Sequence, residues 1–222
     1  MPLAWRDGIF ACEAGGRGIM LDVRTGRYSA LAPAAGDALR RSWELGAVAV
    51  ADRGHLRQLL AAGTIVSATA EALPLFGGLR PPEDHLRVNR AARVPAGDLL
   101  AALIAQMVAR AGLRLFGFHI FHRLFSRCAP RMPGSTSCTE EQAIARLVAA
   151  LERSELLLPR NDRCLSRTIA LRLLGLCRGI PLRLVIGVRD GPFAAHCWAE
   201  RNGVVLNDDL HVVAGYTPLL TV

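Results

Sequence analysis

The chain has 222 residues, 51% of them hydrophobic, and 27 basic residues against 19 acidic ones give a formal net charge of +8. That composition supports a sizeable core and argues against a disordered chain, with room for one large domain or two small ones. All the basic residues are arginine, so a G-x-x-x-x-G-K phosphate loop is excluded and ATP hydrolysis by that route with it.

In chain order, Gly8 to Glu13, Gly18 to Val23 and Arg27 to Leu31 read as three strands. Arg24-Thr25-Gly26 suits a three-residue hairpin loop with glycine in the left-handed position. Pro33 marks a helix start, and Ala34 to Glu44 carries apolar residues at helical spacing. His55 to Ala62 reads as a second helix and Thr64 to Val66 as a short strand. Strands followed by helices in so short a stretch are compatible with a winged-helix-like module.

Pro74 to Pro95 gathers Gly77-Gly78, Pro81-Pro82 and a basic run from Arg87 to Arg93, the composition of a linker. Asp98 is placed to cap a helix running to about Arg110, and Gly112 to Arg127 continues as helix or helix-turn-helix. Thr139-Glu-Glu-Gln142 is a capping-box pattern opening a helix to about Leu157, which Pro159 stops. The longest apolar run, Leu99 to Ala109, is interrupted by Gln106 and is too short to span a bilayer. No signal peptide is expected, because Arg6 and Asp7 precede any apolar run.

Six cysteines stand at 12, 128, 138, 164, 177 and 197 without C-x-x-C pairs, a spacing that suits neither zinc nor a disulfide framework, so a reducing cytoplasm is the expected address. Buried structural thiols are the default for five of them. Cys164 differs by position: it follows the polar loop 160–163 and opens an apolar helix ended by Gly179 and Pro181. Unpaired N–H groups and the helix dipole favour a thiolate there and can serve an oxyanion.

Leu182 to Val188 reads as a buried strand, Arg189-Asp-Gly-Pro192 as a turn, Ala195 to Arg201 as the next strand, and Asn202-Gly203 as the turn into Val204 to Asn207. His196 lies on that strand with Trp198 on the same face to wall a site; Glu200, nearer the turn, is expected at the surface. A thiol, an imidazole and a carboxylate in this order are the parts of a cysteine nucleophile with its base and orienting acid. Hairpin register chooses the acid. A two-residue Asn-Gly turn sets His196 opposite Asp209, and a three-residue loop over 201–203 sets it opposite Asp208. Both are physically sound.

These residues resemble the lasso-peptide biosynthesis B proteins in their fused form. Cys164-Leu-Ser-Arg-Thr, Arg178-Gly-Ile-Pro-Leu, Pro192-Phe-Ala-Ala-His-Cys-Trp and Gly203-Val-Val-Leu-Asn-Asp match the family's transglutaminase-like peptidase half, in order. Leu21-Asp-Val-Arg-Thr-Gly-Arg-Tyr28-Ser-Ala-Leu31-Ala-Pro33 is similar to the PqqD-like precursor-recognition element. The resemblance implies an α+β chain: a winged-helix-like (PqqD-like) module over 1–75, a linker over 76–96, and a papain/transglutaminase-like cysteine peptidase core with an antiparallel sheet over 97–222. It implies a triad of Cys164, His196 and Asp208, and so the three-residue loop. It implies a leader peptide added as a strand beside Arg27, Tyr28, Ser29, Ala30 and Leu31 and resting on the helix near His55 to Leu60; Arg53 and Arg57, by their charge, are candidates to meet leader carboxylates. The implied reaction is hydrolysis of the leader–core bond after a leader with threonine at its penultimate position. No cofactor is expected, ATP being used by a partner cyclase that resembles asparagine synthetase.

Two other classes compete. A winged-helix-like half and basic charge suit DNA, but the arginines are dispersed and aromatics are only 5%, so no recognition helix stands out. An acyl transferase would use the same triad. His119 and His122 have no carboxylate or cysteine at ligand spacing and read as a solvated helix face, so no metal is expected.

Overall fold

The computed structural model describes residues 3–45, 47–67, 80–86, 93–128, 138–158 and 164–222. The chain folds as a mixed α+β protein in which, among the described residues, all strand pairings but one are antiparallel.

Near the N-terminus, β1 (Leu3–Trp5) precedes a meander of β2 (Ile9–Ala14), β3 (Arg17–Asp22) and β4 (Arg27–Ala30). The β3–β4 loop has four residues rather than three, because Asp22 pairs with Arg27. Asp22 holds it together: its Oδ1 accepts the Arg24 N–H at 2.9 Å and its carbonyl accepts the Gly26 N–H at 2.8 Å, with Gly26 left-handed at φ 69°. Then come α1 (Pro33–Glu44), a 3-10 turn (Val50–Asp52), α2 (Arg53–Ala61) and β5 (Ile65–Ser67). β5 pairs with β1, a strand of three residues that is too short to show a periodicity in the sequence. Leu3, Leu31, Ala38, Leu39, Leu56 and Ile65 close a small core, and Arg41 clasps both oxygens of buried Asp52 at 2.6 and 3.0 Å, tying α1 to α2.

The meander is two-sided. Met20 rests against the small core, while Cys12, Ala14, Ile19, Leu21 and Val23 belong to the main core of the C-terminal half. The boundary expected near residue 75 therefore does not separate two cores. Of the expected linker, 76–79 and 87–92 lie outside the described residues, as does most of the basic run 87–93; within the rest, β6 (Asp84–His85) runs parallel to a strand of the C-terminal sheet.

Helices α3 (Ala96–Phe116), α4 (Phe118–Arg127), α5 (Cys138–Glu155) and α6 (Cys164–Cys177) follow. The side chain of Thr139, and with it the expected capping box, lies outside the described residues. Asp98 does not cap α3 but sits in its first turn and binds Arg178, just past α6, at 2.6 Å. Ala102, Ala105 and Ala109 let α3 approach its neighbours closely, and buried Gln106 donates to Ser154 of α5 at 2.5 Å. α3 continues through Gly112 to 21 residues and is, by length and composition alone, apolar enough to cross a membrane. Its core-facing side is built into the fold, while Leu100, Ile104, Met107, Val108 and Leu115 are exposed.

The sheet of the C-terminal half has the order β10-β7-β8-β9-β6, from β7 (Arg183–Arg189), β8 (Ala194–Arg201), β9 (Val204–Val205) and β10 (Thr217–Thr221), with α7 (Leu210–Val213) before the last strand. Helix α6 is buried over most of its circumference, Ser166, Thr168, Ile169, Ala170, Leu171, Arg172 and Leu174 all being covered. It therefore shows little amphipathic pattern.

Gly112 is glycine because of Phe121: a Cβ there would lie 2.5 Å from Phe121 Cζ. Helix propensity alone favours alanine by about 1 kcal/mol, whereas overpacking a buried ring costs about 1–3 kcal/mol. Gly112→Ala is expected to lower the urea midpoint in the native chain and to raise it in a Phe121→Leu background. The same sign in both backgrounds would contradict this packing.

Candidate active site

Cys164 is the first residue of α6, as its sequence position led us to expect, and is half-buried. Its sulfur is within hydrogen-bonding reach of His196 and of the backbone N–H groups of Leu165 and Cys197. His196 lies on β8, where Nε2 meets Asp208 Oδ2 at 2.7 Å. With Nε2 given to the carboxylate, Nδ1 is the ring nitrogen left for the sulfur. The imidazole is walled by Tyr216, whose ring centroid is 5.2 Å away, and by fully buried Trp198 at 6.3 Å. Gly187 pairs with His196 across β7–β8 and makes room for that wall: a Cβ on it would lie 2.7 Å from Trp198 and 3.0 Å from Tyr216.

The electrostatics are those of an ion pair. Burial pushes the Cys164 thiol up, but the hydrogen bond and charge of His196, helped by the two N–H groups, bring it below the usual thiol value. Asp208, and secondly Cys164, raise His196 to about 9 against the opposing effect of burial. Burial also raises Asp208, yet the bonds from His196 and from the Asp209 N–H leave it low. The site thus favours thiolate, imidazolium and carboxylate together.

The turn between β8 and β9 is not the three-residue loop. Asn202 and Gly203 are both left-handed, at φ 50° and 82°, and Arg201 pairs with Val204, which is a two-residue turn. Continued ladder pairing would bring Asp209 opposite His196. The ladder stops first. Leu206 N–H still bonds Ala199 O, but the next acceptor is the Asn207 side chain, whose Oδ1 takes the Ala199 N–H at 2.7 Å. The chain then leaves the sheet, and Asp208 comes to His196 while exposed Asp209 precedes α7 and lies 4.0 Å from His85.

Asn207 and Thr168 were missed in the sequence, although Thr168 stands one helical turn after Cys164 and Asn207 directly before Asp208. Asn207 Nδ2 donates to Thr168 Oγ1 at 3.0 Å, and Thr168 Oγ1 donates to the carbonyl of Cys197 at 3.1 Å. All three residues are buried. This chain of bonds joins the helix carrying Cys164, the strand carrying His196 and the segment carrying Asp208.

Other expectations come out differently. Glu200 is buried at 8% exposure rather than lying on the surface, and burial raises its pKa. Cys12 and Cys197 are buried, with burial raising Cys12 to about 12 and Cys197 well above an ordinary thiol, whereas Cys177 is exposed and Cys128 half-buried. His122 is not a solvated position: its ring lies 5.3 Å from Phe10 and 6.3 Å from Phe118, and burial lowers its pKa. Arg27, Ser29 and Ala30 are exposed on β4, Tyr28 is half-buried, and Leu31 is buried in the small core. Arg53 and Arg57 are exposed on α2. Among the described residues no three metal-ligating side chains come together.

A family model described as the Transglutaminase-like superfamily matches residues 103–221. The chain belongs to that superfamily. It is also similar to the microcin J25-processing protein McjB of Escherichia coli, with 38% identity over 72 residues, about a third of either chain. No solved structure matches it.

Because Asp208 supplies the largest part of the upward shift on His196, Asp208→Asn is expected to bring His196 down and let the Cys164 thiol rise. The pH profile of Cys164 alkylation by iodoacetamide should then move to higher pH, while Asp209→Asn leaves it in place. Asn207→Ala removes two buried bonds and is expected to cost about 1–3 kcal/mol of stability in urea titration.

Proposed function

We propose that this protein is the leader peptidase of a lasso-peptide pathway, a cysteine hydrolase that cuts one peptide bond between leader and core. The observation that carries the reading is the half-buried Cys164 thiol at the start of α6, paired with a His196 that Asp208 raises to about 9. Membership of the transglutaminase-like superfamily and the partial likeness to a microcin-processing protein support it.

In this mechanism the Cys164 thiolate attacks the scissile carbonyl carbon, forming a C–S bond and an oxyanion. The Cys164 N–H at the tip of α6 is one donor to that oxyanion. Protonated His196 gives its proton to the departing amine as the C–N bond breaks, leaving a thioester on the leader's last residue. A water then loses its proton to His196 and attacks the thioester, releasing the leader acid and restoring the thiolate. Asp208 keeps the ring oriented and stabilises the imidazolium throughout. The Arg27–Leu31 edge receives the leader by strand addition, with threonine at the leader's penultimate position, and the exposed Arg53 and Arg57 of α2 meet leader carboxylates. A cyclase resembling asparagine synthetase consumes the freed core with ATP.

The test is cleavage of a cognate precursor followed by mass spectrometry. Cys164→Ala is expected to abolish cleavage while a labelled leader still binds; unchanged cleavage would refute the reading. kcat/KM should follow a bell in pH. Activity is lost as pH falls through the depressed thiol pKa, because the thiolate protonates, and again as pH rises through about 9, because the imidazolium that serves the leaving amine is lost.

A further inference from the structure

β4 is the edge of its sheet: β3 pairs one side of it, and no described strand pairs the other. Three of its four residues are exposed, and Tyr28 is the exception. Tyr28 stands opposite Leu21, on the face of the meander that enters the main core. Its ring packs on Phe193, with centroids 5.5 Å apart. Phe193 belongs to the turn between β7 and β8, three residues before His196, and is 51% exposed. The same turn is held from the other side of the meander: Gly15 of the β2–β3 turn lies so close to Asp190 that a Cβ would come within 2.9 Å, and Arg17 pairs with Asp190 at 3.7 Å. Burial, and after it the thiols of Cys197 and Cys164, push the Tyr28 hydroxyl above the ordinary phenol range.

On the reading of this site as a leader peptidase, we propose that Tyr28 and Phe193 together wall the cleft that receives the last leader residues before the scissile bond. Tyr28 belongs to both surfaces. Its backbone lies in the free edge that an extended peptide extends by strand pairing, and its side chain reaches the catalytic hairpin. A leader strand laid along β4 is thereby led past the aromatic pair to Cys164. Backbone pairing supplies the affinity, and the aromatic wall sets how the carbonyl is presented to the sulfur. The two contributions are separable, because removing a side chain from β4 leaves its N–H and C=O groups in place.

The experiment uses the full chain with two measurements on each of Tyr28→Ala, Tyr28→Phe and Phe193→Ala. Affinity for a fluorescein-labelled synthetic leader is read by anisotropy in a Cys164→Ala background, and kcat/KM is read on the cognate precursor. Phe193→Ala and Tyr28→Ala are expected to lower kcat/KM about tenfold or more, with leader Kd changed by less than about threefold, and Tyr28→Phe to lose less. The pH profile of Cys164 alkylation should not move, which separates a substrate wall from damage to the site. Phe193 is half-exposed on a turn, so its variant tests the wall even if Tyr28→Ala unfolds. Equal losses in Kd and kcat/KM, or no loss in either, would overturn the proposal. Cleavage that persists in Cys164→Ala, or a native chain that binds leader and leaves the precursor intact, would instead overturn the peptidase reading.

Discussion

The site depends on the burial of α6 against the C-terminal sheet. A helix packed over most of its surface can neither slide nor roll without opening voids, because interiors are as dense as crystals. Its first residue is therefore held at a definite height relative to β8, and that residue is Cys164. The bonds through Thr168 and Asn207 refine what packing begins. They fix α6 to the carbonyl beside His196 and fix the segment before Asp208 to the same helix. Three groups far apart in sequence thereby share one rigid support, the condition under which a proton can be passed at hydrogen-bond distance.

The N-terminal meander contributes to this support rather than hanging from it. One face closes a small core with α1 and α2, and the other fills the main core beneath the C-terminal sheet. Its β2–β3 turn and β4 both touch the turn that leads into β8. The free edge of β4 and the Cys164–His196–Asp208 cluster are thus parts of the same packed body.

Much of this was legible in the residues. Regular elements with strong signals, such as the proline-started α1, the alternating β2 to β4 and the helix opened by Cys164, lie close to where the patterns put them. What escaped notice has physical reasons. β1 and β6 are too short to carry a period, and β10 is a short apolar run broken by Pro218. Glu200 reads as a surface group because charge near a turn usually is one, and only tertiary packing buries it. The acid partner shows the limit most clearly. Asn202-Gly203 correctly suggests a two-residue turn, which by pairing rules alone points to Asp209. The family likeness points to Asp208 but through a loop that is not there. The ladder ends because a side-chain amide replaces a backbone carbonyl at Asn207, and no rule of register anticipates that substitution. The shared core was equally hidden: strands that bury both faces against different partners look the same in sequence as strands of a free-standing module.

The two-sided meander bears on how this polypeptide tolerates division. Were residues 3–67 made as a separate piece, the side chains of Phe10, Cys12, Ile19 and Leu21 would face water, and the remainder would lack the lining that covers its own interior. Each fragment would present a sticky apolar plate. Co-production of the two pieces would let them find each other and close that seam, whereas either alone would be prone to clumping.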